Sequence, residues 1–186
     1  MQGSSEKALL EHAQNSFAGF GELFDAYYDR IYAYAFRRVG ARAAAEDIAA
    51  SVFEDALRGI QRVRWQGKPM IAWLYRIAAR RVADYYRQSH RETTLESEIL
   101  LTGDGSDGAE RAEDHAAVRY ALEKLSANDR EIIRLAFFDE LGGAEIAATL
   151  NCTPNNAYVR LHRALKRLEL VMQDESERRV VSVRSR

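Results

Sequence analysis

The residues of this chain able to act on another molecule are mainly cations and amides on helical faces, together with one turn that presents them. From Leu141 to Leu168 the sequence LGGAEIAATLNCTPNNAYVRLHRALKRL holds two helical runs separated by Asn151-Cys152. Asparagine tolerates the left-handed conformation that ends a helix, threonine caps a new one, and proline suits the first helical position. The reading is therefore a short helix from Ala144 to Leu150, a tight turn, and a longer helix opened by Thr153 and Pro154. That is the form of a helix-turn-helix. At about 100° per residue the longer helix buries Ala157, Leu161, Ala164, Leu165 and Leu168. Asn155, Val159, His162, Arg163 and Lys166 lie opposite, flanked by Asn156, Tyr158 and Arg167. Amides and guanidinium groups read base edges in a major groove, while Arg and Lys further along hold phosphates. The plainer reading is a solvated basic face, because short helix-turn-helix patterns also occur without DNA binding.

A second chemical cluster lies upstream, in RVRWQGKPMIAWLYRIAARRVADYYRQSHR. Arg62, Arg64, Lys68, Arg76, Arg80, Arg81 and Arg87 are interleaved with Trp65, Trp73, Tyr85 and Tyr86. Cations follow a phosphate backbone and aromatic faces accept unstacked bases, the combination that single-stranded DNA requires. Trp73 shares a stripe with Met70 and Ile77 and reads as core, which leaves Trp65 and Tyr86 as the aromatics expected to be exposed. Asp84 is expected to pair locally with Arg80, Arg81 or Arg87.

Other reactive types have no constellation around them. His162 lacks a second His, Cys or acid at metal-ligand spacing and reads as a polar contact. Cys152 reads as a small turn or core residue. GDGSDG, at 103–108, superficially resembles a calcium loop but lacks the further oxygen ligand and closing glutamate in register. There is no glycine-rich phosphate loop, no Ser/His/acid arrangement and no carboxylate pair beside a histidine. The expectation is a binding protein without catalytic residues, metal or cofactor.

The elements that position these residues read as helices. Phe20, Phe24, Tyr27, Ile31, Tyr34 and Ala35 recur three or four apart until Gly40 stops the run. Ile48, Val52, Ala56 and Ile60 make a second run, and a polar loop follows from Gln61 to Lys68. A third helix is expected to hold Pro69 in its first turn and to bury Met70, Trp73, Leu74 and Ile77. Ser126 and Asp129 form a capping box ahead of Ile132, Ile133, Leu135 and Ala136. No alternating strand pattern competes.

The net charge of −1 conceals a segregation. Residues 30–91 hold thirteen Arg/Lys against five Asp/Glu, a balance of +8. Residues 92–117 hold one against eight, a balance of −7. The fold class expected is all-α: two helical modules joined by a flexible acidic linker, the second module carrying the helix-turn-helix. The boundaries are 17–90 for the first module, 91–114 for the linker, 115–173 for the second module and 174–186 for a frayed tail. No apolar run approaches the ~18–20 residues that cross a bilayer. No export signal opens the chain, and a single cysteine forms no internal disulfide. The expected location is the cytoplasm, with no membrane insertion.

The order FDAYYDRIYAYAFRRV, AEDIAASVFEDAL, WLYRIAARRVADYYR, acidic linker, LEKLSANDREIIRLAFFDEL, GGAEIAATLNCTP and VRLHRALKRL resembles the extracytoplasmic-function (ECF) RNA polymerase sigma factors from about Phe17 to Met172. The resemblance implies that the first module binds core RNA polymerase and reads the promoter −10 element, and that the helix-turn-helix reads the −35 element. It places Asp47, Ala50, Ser51, Glu54, Asp55 and Arg58 on a helix face that docks on the β′ clamp helices, with the β flap as a second polymerase contact. It assigns the Gln61–Lys68 loop to capture of a flipped −10 base. An anti-sigma factor is implied as a further partner. Three departures limit the transfer. Ala50 and Ser51 stand where relatives often have Gln and an acid, and Arg80 stands where many have Asn. TPNNAYVRLHRA differs from the commoner S-V-G-T-V-K-S-R-L-H-R-A form, so the −35 sequence does not carry over. The competing class is a free-standing helix-turn-helix regulator that acts without polymerase. For the linker, a nucleic-acid mimic threading a positively lined polymerase channel and a plain soluble spacer are both open.

Overall fold

The computed structural model of the chain describes residues 2–92 and 109–184, with side chains described within 5–88 and 117–174. Among the described residues the regular structure is entirely helical. The first helix, α1 (Gln2–Asn15), was not foreseen from the sequence, where only Leu9, Leu10 and Ala13 signal an apolar face. Leu10 and Ala13 are buried by α2 (Phe17–Val39). Ser16 ends the connection as an N-cap, its side chain accepting from the Gly19 amide at 2.9 Å. The two helices cross so closely at Gly19 that a Cβ there would sit 2.3 Å from the His12 carbonyl oxygen. The Tyr27 hydroxyl donates to Glu6 at 3.0 Å, a second tie between α1 and α2.

Gly40 ends α2 at φ 70°, its N–H bonded to the Phe36 carbonyl, as the sequence suggested. Then follow α3 (Arg42–Gly59), a 3₁₀ turn (Ile60–Arg62), an irregular loop, and α4 (Met70–Glu92). Pro69 precedes α4 rather than lying in its first turn, and its carbonyl accepts from the Ala72 amide at 3.1 Å. Leu23, Ile31, Val52, Ile71 and Leu74 are fully enclosed between α2, α3 and α4. Phe24, Tyr28, Tyr32 and Phe36 stack in sequence along α2, with Phe24 also against Phe53 of α3.

The second module comprises α5 (Ala109–Lys124), α6 (Ala127–Phe137), α7 (Gly143–Thr149) and α8 (Pro154–Arg184). Ser126 caps α6 by accepting from the Asp129 amide at 3.2 Å. Glu140, not a glycine, takes the left-handed conformation in the turn after α6, at φ 52°. Gly142 opens α7, its N–H donated to Glu145 at 2.8 Å. Asn151 takes φ 50° in the turn to α8, and the Thr153 hydroxyl caps that helix through the Asn156 amide at 3.2 Å. The backbone stays helical to Arg184, so α8 continues through residues 174–184 of the stretch read as a frayed tail. Most of the expected linker, 93–108, lies outside the described residues, as do Leu95, Ile99, Leu100, Leu101 and the GDGSDG piece. Further along the acidic stretch, Glu110, Glu113 and Asp114 fall on α5.

The modules also touch, which the sequence did not reveal. α4 packs on α7, and the C-terminal half of α2 grips the second module through ion pairs.

Candidate nucleic-acid interface

On α8 the helical register separates the two faces as expected. Ala157 and Ala164 are buried, and Leu161, Leu165 and Leu168 are half-buried against the core. Asn155, Asn156, Tyr158, His162, Arg163 and Lys166 are exposed, with Tyr158 at 70% of its full accessibility, while Val159 is half-buried. An exposed tyrosine beside two amides at a helix N-terminus suits a groove, where backbone N–H groups and helix dipole favour phosphate. Arg167, expected as a flank of this face, is instead held by both Asp129 carboxylate oxygens at 2.8 Å and fixes α8 to α6.

The loop after α3 and the start of α4 gather the second cluster. Gly67 takes φ 70°, which lets the loop double back before Lys68. Arg64, Trp65, Lys68 and Arg76 line one cavity of about 70 Å³ beside Trp73. Arg62, Arg64, Lys68, Arg76, Arg80 and Arg87 are exposed. The two aromatics expected to be exposed are not. Trp65 is half-buried against the core, and Tyr86 is half-buried with its hydroxyl donated to the Arg38 carbonyl. Stacking by Tyr86 therefore requires release from α2. Trp73 packs on the core as read. Arg87 pairs with Asp84, whereas Arg81 turns to Asp55 of α3 at 2.7 Å.

On α3, Asp47, Ala50, Glu54 and Arg58 are exposed along one face, opposite the buried Ile48, Val52 and Ala56. Ser51 and Asp55 are half-buried. Arg58 bridges Glu54 at 3.1 Å and Asp55 at 3.3 Å. Asp55 thus spends its charge inside the module, on Arg58 and Arg81, while Asp47 and Glu54 form the outward acidic edge.

The seam between the modules was missed by sequence reasoning. Asp139, whose side chain has no solvent exposure, receives Arg37 and Arg38 from α2, the latter at 3.3 Å. Arg38 also meets Glu131 of α6 at 2.9 Å and lies over the Tyr34 ring at 3.3 Å. Burial draws the Arg38 pKa down, but Tyr34, Glu131 and Asp139 outweigh it and hold the group above its ordinary value. Arg134, in the same cleft, is lowered by burial and by the neighbouring Arg38. Arg30 pairs with Glu145 at 3.2 Å. The seam is not fully satisfied. Thr149 Oγ1 is buried without a partner, and the Tyr75 hydroxyl lies in the field of Arg30 without a hydrogen bond of normal geometry. Arg76 and Tyr86 of α4 face Glu131, Arg134 and Leu150 across this cleft, so part of the proposed strand-binding face is walled in by the second module.

Among the described residues no group of three or more His, Cys, Asp or Glu is arranged to hold a metal, and no helix is long and apolar enough to cross a membrane. His162 is exposed, and Cys152 is a half-buried free thiol in the turn.

Comparison with known proteins places two family descriptions on the chain in this order: Sigma-70 region 2 over 23–92 and Sigma-70, region 4 over 115–168. The chain is 31% identical over 176 residues to the ECF RNA polymerase sigma factor BldN of Streptomyces coelicolor, covering 90% of itself and 66% of BldN. It therefore spans just under two thirds of that relative's length. It is 32% identical over 155 residues to the RNA polymerase sigma factor YlaC of Bacillus subtilis, covering 80% of itself and 88% of YlaC. Two solved structures share the fold. One is CnrH in complex with the cytosolic domain of CnrY, at TM-score 0.62 and 24% identity, covering 91% of this chain and 97% of that one. The other is the sigma factor RpoE with the anti-sigma factor NepR from Bartonella quintana, at TM-score 0.59 and 21% identity, covering 83% and 96%. With both sigma regions matched in order, on the modules that carry the loop and the helix-turn-helix, the chain belongs to the ECF family of RNA polymerase sigma factors.

Proposed function

We propose that this protein is a dissociable specificity subunit of RNA polymerase that brings the core enzyme to promoters with a −35 and a −10 element and assists their melting. The observation that carries the reading is the pairing of two exposed cationic surfaces on separate modules. One is the exposed amide and cation face of α8, and the other is the cationic loop and α4 with Trp65. Duplex recognition needs only the first, and a melted strand is the natural ligand of the second. Asn155, Asn156, Tyr158, Val159, His162, Arg163 and Lys166 read the −35 duplex. Arg62, Arg64, Trp65, Lys68, Arg76, Arg80, Tyr86 and Arg87 hold the −10 strand. The α3 edge of Asp47, Ala50, Ser51, Glu54 and Arg58 docks on the β′ clamp helices, with Asp55 bracing it from within, and the second module meets the β flap. The protein works in the cytoplasm and catalyses no reaction itself.

The seam ion pairs describe a closed form of the free protein. Promoter binding by both modules requires them to part, and an anti-sigma factor holds them inactive by covering these surfaces. RpoE, of the same fold, is known with such a partner.

The testing experiment is comigration with purified core polymerase on native gels, for the natural protein and for Asp47→Arg with Glu54→Arg. The natural protein comigrates; the double variant loses core binding and keeps its affinity for −35 duplex. Specific duplex binding with no comigration of the natural protein would instead favour a free-standing helix-turn-helix regulator.

A further inference from the structure

The loop proposed to capture the −10 strand has no regular structure between Arg62 and Met70, so its backbone groups need partners from elsewhere. Two carbonyls at its entry, Ile60 in the 3₁₀ turn and Val63 in the loop itself, find the same one, the Ile60 carbonyl also accepting the Val63 amide at 3.0 Å. Gln14, in the last turn of α1, donates its side-chain amide to the Ile60 carbonyl at 2.8 Å and to the Val63 carbonyl at 2.9 Å. A glutamine amide has two N–H donors, and both are used on this loop. The loop answers with Gln61, whose side-chain amide donates to the Gln14 carbonyl at 2.6 Å. Three hydrogen bonds thus run between α1 and a segment nearly fifty residues away in sequence. Leu10, one turn earlier on α1 and almost fully buried, forms a wall of the cavity shared by Val63, Trp65, Lys68 and Trp73.

The helix making these contacts is itself seated firmly. Gly19 admits the His12 carbonyl at a distance no side chain would allow, Ser16 caps the following helix, and Glu6 accepts from Tyr27. α1 also lies wholly before residue 23, where the match to Sigma-70 region 2 begins. It is nonetheless joined by hydrogen bonds to that module's proposed strand reader.

We propose that α1 is the positioning element of the −10 loop and Gln14 its positioning residue, setting the entry backbone from which Arg64, Trp65 and Lys68 meet the displaced strand. The inference rests on the loop being the −10 reader. Gln14 touches no DNA in this account; it acts through the backbone at Ile60 and Val63. Removing its donors lets the loop sample other conformations, so the holoenzyme loses discrimination at −10 before it loses any polymerase or −35 contact.

The experiment uses holoenzyme assembled from purified core polymerase and full-length Gln14→Met, which keeps length and packing but not the donors. Gln61→Ala, on the exposed side, removes only the return bond and serves if Gln14→Met fails to fold by circular dichroism. Transcription is read from a promoter pool with a randomised −10 and fixed −35, alongside core affinity and −35 duplex affinity. Expected is an about tenfold drop in open-complex yield on the preferred −10, as the loss of two hydrogen bonds at one site implies. A flattened base preference accompanies it, while the other two affinities stay within about twofold, the range of a surface change. Trp65→Ala and Lys68→Ala serve as loop controls. An unchanged −10 profile in the Gln14 and Gln61 variants, with altered profiles in the loop controls, overturns the positioning role alone. An unchanged profile in the loop controls as well overturns the −10 reading of the loop.

Discussion

Arg38 of α2 reaches across the module seam to Asp139, 3.3 Å away, and neither side chain is open to solvent beyond 7%. The pair is separated by a hundred residues of sequence and ties the −10 module to the helix-turn-helix module. A buried carboxylate between two guanidinium groups is costly to leave unpaired. Replacing Asp139 by Asn retains its shape and removes its charge. Because Arg38 keeps Glu131, the expected loss is about 1–3 kcal/mol of closed-form stability, below that of a fully orphaned buried charge. Small-angle scattering should report a larger radius of gyration for the variant, and free protein should bind promoter DNA more tightly. An unchanged scattering profile with unchanged DNA affinity would show that the seam does not hold the free protein closed.

The seam also uses part of the first module's charge. Of the excess of +8 over residues 30–91, Arg30, Arg37 and Arg38 are spent on Glu145, Asp139 and Glu131. Those pairings depend on how the modules come together and leave no local trace. The turn at Asn151, the cap at Thr153 and the start of α8 at Pro154 were legible because capping is decided within a few residues. The exposed face of α8 followed from that register. α1 escaped notice because its stability comes from packing at Gly19 rather than from its own pattern. Tyr86 was misjudged because its hydroxyl finds a backbone carbonyl on α2, a partner 48 residues away.

Arg163 is exposed on the groove-facing side of α8 and makes no part of the core. Arg163→Ala should weaken −35 duplex binding by about 1–3 kcal/mol, the worth of one specific base or phosphate contact. Its melting temperature should match that of the natural protein. Fluorescence anisotropy on a −35 duplex checks this. Unchanged affinity there, with the same neutrality at His162 and Asn156, would remove α8 from the groove.

Gly19→Ala places a Cβ against the His12 backbone, where no flexible side chain can yield. Overpacking of this kind costs about 1–3 kcal/mol. Thermal unfolding should drop by about 2–4 °C for each kcal/mol lost in a chain of this size. A midpoint within experimental error of the natural protein would mean that α1 is not seated on α2 as described.

The acidic stretch before α5 carries Glu96, Glu98, Asp104 and Asp107 within a segment of balance −7. If these carboxylates stand in for phosphates in a positively lined polymerase channel, replacing them by Ser and Gln at constant length weakens core binding, most strongly at low salt. Titration of core polymerase at two ionic strengths measures it. Equal core affinity and equal abortive-transcript yield would reduce the stretch to a spacer.

The central claim is most directly tested by transcription in vitro with core polymerase, the purified protein and a library of genomic fragments from the same organism. The account predicts transcripts only when the protein is present, starting downstream of one shared pair of −35 and −10 motifs, with loss of output for Arg163→Ala and for Trp65→Ala. It is contradicted if the protein binds particular fragments as duplex DNA yet the core enzyme initiates nowhere new.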